Sequence, residues 1–209
     1  MLLETFGIHE KINLICPGPS ADNFDLEKEE GLCIFVNHAA QLISCDKKIL
    51  MNSIHFSADP IRARELIDIK PEIFRFCKSV LVAGRLFSLS TSIYKYYDYI
   101  FLPLLRFDKK YGLVSKGLPL SKFGKLNDRS IGCGYGSLPA AISFSLIFSP
   151  KEIKLWGCDF GDSKGKKYIN KPIPERNDTP HDRIKYDVMK IKNILFDIDV
   201  KLIDSNDNL

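Results

Sequence analysis

Short apolar runs recur along the chain, separated by polar or amphipathic stretches. KINLIC (11–16), GLCIFVNHA (31–39), KKILMNSIHFS (47–57) and SVLVAG (79–84) each predict a short buried strand. Between the first two lies the polar stretch DLEKEE (25–30), about one helical turn. DPIRARELIDI (59–69) opens on aspartate then proline, a cap and first turn, and predicts a helix that its apolar positions suit only loosely. SLSTSIYKYYDYIFLPLLRF (88–107) mixes aromatic and β-branched residues with a proline, and the region around 85–130 carries no assignable pattern. Order returns at GCGYGSLPAAISFSLIF (132–148), a glycine-rich loop feeding a buried helix, with Pro139 suited to its first turn and Pro150 to its end. KEIKLWGCDFG (151–161) alternates through Ile153 and Leu155 and predicts a strand closing on Gly157 and Asp159. After a lysine-rich loop, HDRIKYDVMKIKNIL (181–195) places Ile184, Val188, Ile191 and Leu195 on one helical face, and IDVKLID (198–204) closes the chain as a strand.

Strands alternating with helices predict an α/β fold with a mainly parallel sheet, helices on both faces and an unassigned part around 85–130. In such sheets ligands bind beyond the carboxyl ends of the strands. Three glycine-bearing loops fall there. CPGPS (16–20) keeps Cβ atoms away where the crevice opens, and reads as an anion-holding loop or as a tight turn with a serine cap. GCGYGS (132–137) leads into a helix N-terminus, which favours an anion. WGCDFG (156–161) puts Asp159 at the crevice edge, as a ligand acceptor or a turn cap, and Trp156 reads as core. His181 opens the last helix, a surface residue, a cap or a general base. His9, His38 and His55 form no pattern.

Composition narrows the classes. With 30 Lys and Arg against 26 Asp and Glu, a net +4 spread along 209 residues, the chain lacks the clustered basic face of a nucleic-acid binder but suits a small anionic ligand. Six cysteines with no CxxC and no cysteine–histidine spacing point to free thiols in a reducing compartment and to no metal site. No apolar stretch reaches the ~18 residues of a membrane span, and the N-terminus is too charged and too short for a signal peptide, so the expected location is cytoplasmic. Neither a dinucleotide fingerprint nor a P-loop is present.

Five blocks, ICPGPS (15–20), CIFVNHA (33–39), GSLPAAISFSLIFSPKEIKLWGCDF (136–160), KKYI (166–169) and PHDRIKYDVMKIKNIL (180–195), stand in the order of the motifs of the small bacterial sialyltransferases. The chain resembles that family over about a third of its length, most specifically at KEIKLWGCDF. The resemblance implies a single Rossmann-like nucleotide-binding domain over residues 1–209 with a lid-like part around 85–130, and metal-independent, inverting transfer from CMP-sialic acid, with no cofactor beyond that donor, to a lipo-oligosaccharide or other glycan acceptor. It implies that Gly18 and Ser20 line the donor pocket, Asn37 bonds the nucleotide side, and Gly136 and Ser137 meet the donor carboxylate, with Gly134 or Cys133 as alternatives. Asp159 and Phe160 would pin the ribose and cytosine. Tyr168, flanked by Lys164, Lys166 and Lys167, would donate to the leaving phosphate, and His181 would take the acceptor proton. One departure stands out: the family's first-loop asparagine is Pro17 here, so one donor contact is lost or relocated. CMP-Kdo or another CMP-ulosonic acid is an alternative donor. A pyrophosphate-transferring enzyme and an inactive nucleotide-binding module are alternative functions. Peripheral contact at the inner face of the cytoplasmic membrane and a homo-oligomer stay open, and no nucleic-acid partner is expected.

Overall fold

The computed structural model describes residues 2–43, 52–82, 91–103, 106–108, 112–114, 126–127, 130–131, 136–160 and 181–206. The main strands are β1 (Lys11–Ile15), β2 (Leu32–Val36), β3 (Ser53–Ser57), β4 (Lys78–Val82) and β5 (Tyr99–Pro103). Two short pairs follow, β6 (Arg106–Asp108) with β7 (Gly112–Val114), and β8 (Leu126–Asn127) with β9 (Ser130–Ile131). The last strands are β10 (Glu152–Trp156) and β11 (Lys201–Asp204). The sheet order is β11-β10-β1-β2-β3-β4-β5-β9-β8, parallel from β11 through β9 and antiparallel only at β8. β2 and β3 are buried at every position, as strands covered on both faces must be.

The helices are α1 (Leu2–Phe6), α2 (Pro60–Ile69), α3 (Ile73–Phe76), α4 (Thr91–Tyr94), α5 (Ser137–Ser145) and α6 (His181–Phe196). The α/β Rossmann-like architecture is therefore present, with helices on both faces. On one face, α5 and α6 press Leu138, Ile142, Phe144, Val188, Ile191 and Leu195 onto Ile12, Leu14, Ile34, Phe56, Ile153 and Leu155. On the other, Ile15, Cys33 and Phe35 meet 3-10 turns at Pro19–Asn23 and Asn37–Leu42 together with Leu66 of α2 and Ile73 of α3. α5 is buried along Leu138–Ser145, which explains its nearly unbroken apolar sequence. Among the described residues no helix is long and apolar enough to cross a membrane.

Element boundaries differ from the sequence reading where turn chemistry intervenes. The helical turn after β1 falls at Pro19–Asn23 rather than in residues 25–30, because Pro19 at its start has φ already set and Asp25 instead closes a tight turn by accepting from the Glu27 amide. β10 stops at Trp156 because Gly157 turns the chain at φ +66°. β11 begins only at Lys201, after Asp199 takes φ +58° at the end of α6. Much of 85–130 lies outside the described residues.

Candidate functional site

From β1 the chain steps in one direction through β2, β3 and β4, then returns through β10 to the other side of β1. β1 and β10 therefore flank the topological switch point, where the loops at the carboxyl ends of the strands diverge and leave a crevice. CPGPS leaves β1 there and GCDF leaves β10. The register pairs Ile15 with Trp156, and the pairing continues as Cys16 N–H donates to Trp156 O at 2.8 Å and Gly18 N–H to Gly157 O at 3.0 Å.

The two loops touch so closely that both glycines are required. A Cβ on Gly18 would lie 2.3 Å from Asp159 Oδ2 and 2.3 Å from Gly157 O; one on Gly157 would lie 2.2 Å from Cys16 O. The approach delivers the Ser20 amide to Asp159 Oδ2 at 3.0 Å, across 139 residues of sequence. Asn206, just past β11, completes the group: its Nδ2 donates to Ser20 Oγ at 2.6 Å and lies 3.5 Å from Asp159 Oδ1. Beneath this surface the Cys158 thiol is held well above the ordinary thiol range, first by its hydrogen bond with Cys16 and then by burial, with Asp204 and Asp159 nearby. Both thiols are buried and free.

A second polar group lies at the carboxyl ends of β2 and β3. Asn37 follows β2 at φ +51°, a conformation asparagine tolerates better than other side chains. Its Oδ1 accepts from Ser57 Oγ at 2.9 Å and its Nδ2 donates to Ser137 Oγ at 3.1 Å. Ser137 is the first residue of α5, after Gly136, and no side chain caps that helix end. Ser57 also donates to Asp59 O at 3.1 Å, tying the group to the start of α2.

The start of α6 lies against the same end of the sheet. Ile184 Cδ1 sits 3.2 Å from the Cβ position of Gly136, and Lys185 Nζ lies 5.9 Å from the centre of the Phe160 ring. His181, one turn before Ile184, opens the helix and is half-buried. Phe160 takes φ +46° and packs partly on the core beneath α5 and α6. Trp156 is half-buried against Phe24, donates Nε1–H to Asn13 Oδ1 and carries Lys154 over its ring, a packing role as expected.

The fold thus brings Gly18, Ser20, Asn37, Gly136, Ser137, Asp159 and Phe160 to the carboxyl end of the sheet, with His181 at the adjoining helix start. Tyr168, Lys164, Lys166, Lys167, Cys133 and Gly134 lie outside the described residues. Sequence reading missed Ser57 and Asn206. Each is a polar residue at or just past the end of a strand, the same signal that marks Asn37 and Asp159. Among the described residues no cluster of three or more His, Cys, Asp or Glu is placed to hold a metal ion. Chemically, the amides of CPGPS are spent within the protein, on Trp156 O, Gly157 O and Asp159 Oδ2, so this end of the sheet offers a ligand the hydroxyls of Ser20 and Ser137, which accept from Asn206 and Asn37, beside the Asp159 carboxylate. Comparison with protein families, with curated proteins and with solved structures finds no match in any of the three.

Proposed function

We propose that the protein transfers a sialic acid from CMP-sialic acid to a hydroxyl of a glycan acceptor, such as a lipo-oligosaccharide, with inversion and without a metal. One observation carries the reading. Residues that the family resemblance assigns to the donor, Ser20 with Asp159 and Asn37 with Ser137, are hydrogen-bonded across 139 and 100 residues of sequence at the end of the sheet where α/β folds bind ligands. In this reading Asp159 accepts from the ribose hydroxyls, and Ser20 and the Gly18 loop border the sugar and phosphate. Ser137 and the uncapped start of α5 meet the donor carboxylate, and Asn37, bonded to Ser137, faces the nucleotide side.

The acceptor oxygen attacks the anomeric carbon as the bond from that carbon to the phosphate oxygen breaks. The bonding pair leaves with CMP, and Tyr168 donates a hydrogen bond to the phosphate as its charge grows. His181 takes the acceptor proton and passes it to solvent. The reaction belongs in the cytoplasm, at the inner face of the membrane if the acceptor is lipid-linked.

The test begins with thermal shifts in CMP, UDP, ATP and NAD. CMP is expected to stabilise most, by the mass-action gain of a ligand that binds only the folded chain. Transfer from CMP-sialic acid to galactose-ending acceptors then follows, with EDTA leaving activity intact. Release of CMP from CMP-Kdo alone would redirect the donor assignment. A stronger response to ATP with divalent metal, or no turnover of either CMP-sugar, would overturn the reading.

A further inference from the structure

CPGPS presents backbone and one hydroxyl to the crevice but no side-chain amide, since Pro17 and Pro19 flank Gly18. A carboxamide nevertheless reaches this loop from the other end of the chain. β11 pairs with β10 through Asp204, the Ser205 amide extends the pairing to Leu155 O at 3.0 Å, and the Asn206 amide then donates to Asp204 Oδ1 at 3.2 Å. This local turn at the strand end sets the Asn206 side chain over Ser20. Its Nδ2 is 2.6 Å from Ser20 Oγ.

We infer that Asn206 is a positioning residue of the crevice, which turns the Ser20 hydroxyl into a hydrogen-bond donor toward the bound anion. The polarity follows from the contact. A carboxamide nitrogen only donates, so Ser20 Oγ must accept from it, and the hydroxyl's own hydrogen is left to point elsewhere. Asp159 accepts the Ser20 amide on Oδ2 and faces Asn206 Nδ2 with Oδ1, and the Ser20 hydroxyl makes no further hydrogen bond among the described residues. Its hydrogen is therefore free to turn toward a ligand at the carboxyl end of the sheet. An anionic ligand there meets a hydroxyl hydrogen rather than a lone pair, and a hydrogen bond to a charged acceptor is stronger than a neutral one. The other Asn206 N–H reaches toward Asp159 Oδ1 at 3.5 Å, so the carboxamide bridges the two loops while the residue itself stays exposed. The inference rests on the proposed donor site for the identity of the anion, but not for the geometry.

Two measurements separate the two claims. On the ligand-free protein, the Hβ couplings of Ser20 report its χ1 rotamer: a single rotamer is expected in the wild type and averaging in Asn206→Ala. In the second, affinity for CMP is measured for Asn206→Ala, Asn206→Asp, Ser20→Ala and Ser20→Ala with Asn206→Ala. Asn206→Ala should weaken binding about tenfold, the scale of one hydrogen bond to a charged group. Asn206→Asp should weaken it more, because a carboxylate accepts the Ser20 hydrogen and repels the ligand. In the Ser20→Ala background, Asn206→Ala should cost almost nothing further. In turnover, the loss should fall on donor KM rather than kcat. An unchanged Ser20 rotamer, or strictly additive losses, overturns the inference. If wild-type protein binds no CMP, the proposed function fails, and the rotamer measurement alone decides the role of Asn206.

Discussion

Gly18 and His181 show how differently two residues of one crevice can be tested. Gly18 is constrained by contact: any side chain would overlap both Asp159 and the Gly157 carbonyl. Gly18→Ala should therefore push the two loops apart and lower stability by about 1–3 kcal/mol, the range of overpacked substitutions, in urea unfolding. It should also lose CMP binding, because the Ser20–Asp159 contact depends on the same approach. Wild-type stability would show that the loops separate without cost. His181 stands at a helix start beside the site and is only half-buried, so its removal should leave the fold and CMP affinity intact. His181→Ala should lower kcat by roughly 10²- to 10⁴-fold, the usual worth of a positioned base. Near-normal transfer by the variant would reduce this histidine to a surface residue. From the sequence Gly18 reads as a Cβ-free position in an anion-holding loop or a tight turn; its necessity comes from a partner loop 139 residues away.

Among the elements, α2 carries the clearest local determinant. Asp59 Oδ1 accepts from the Ile61 amide at 2.9 Å and the Arg62 amide at 3.4 Å, and Pro60 occupies the first helical position. Both features follow from the sequence alone, because capping is short-range chemistry. Asp59→Ala should cost about 1 kcal/mol and lower Tm by about 2–4 °C for a chain of this size, with Asp59→Asn restoring most of it. No change in a melting scan would mean that α2 is held by its buried Ala63, Leu66 and Ile67 alone. The weak apolar periodicity of α2 has its reason in the same packing: Arg62 is buried too, with its guanidinium 2.7 Å from Glu65 Oε2, so a polar pair occupies part of the inner face. α5 was legible for the opposite reason, being apolar nearly all round because it is enclosed between sheet and α6.

At the scale of the molecule, the sheet encloses a histidine that no sequence pattern marked. His55 on β3 is fully buried, its ring against Phe74 and Tyr97, and among the described residues neither ring nitrogen has a hydrogen-bond partner. Burial, with the nearby His38 as a smaller contribution, lowers its pKa from 6.5 to about 3. The unfolded chain therefore takes up this proton first as pH falls. The contribution is complete above about pH 6.5 and is lost progressively down to about pH 3. The slope is about 1.4 kcal/mol per pH unit. His55→Leu, neutral throughout, should flatten the pH dependence of urea stability between pH 6 and 4 by about one proton's worth. Parallel curves for the two proteins would mean that acid instability arises elsewhere. The sequence by itself determined the strands β1 to β4, β10 and β11, the helices α2, α5 and α6, the α2 cap, the buried character of α5 and the strand-end positions of Asn37 and Asp159, because each depends on neighbours within a few residues. Only the tertiary structure decided that β10 returns beside β1, that Gly18 meets Gly157, that Ser137 meets Asn37 and that Asn206 reaches Ser20. Those contacts join segments 100 residues or more apart, and strand order in a parallel sheet is set by how the crossover helices pack on its two faces rather than by any local pattern.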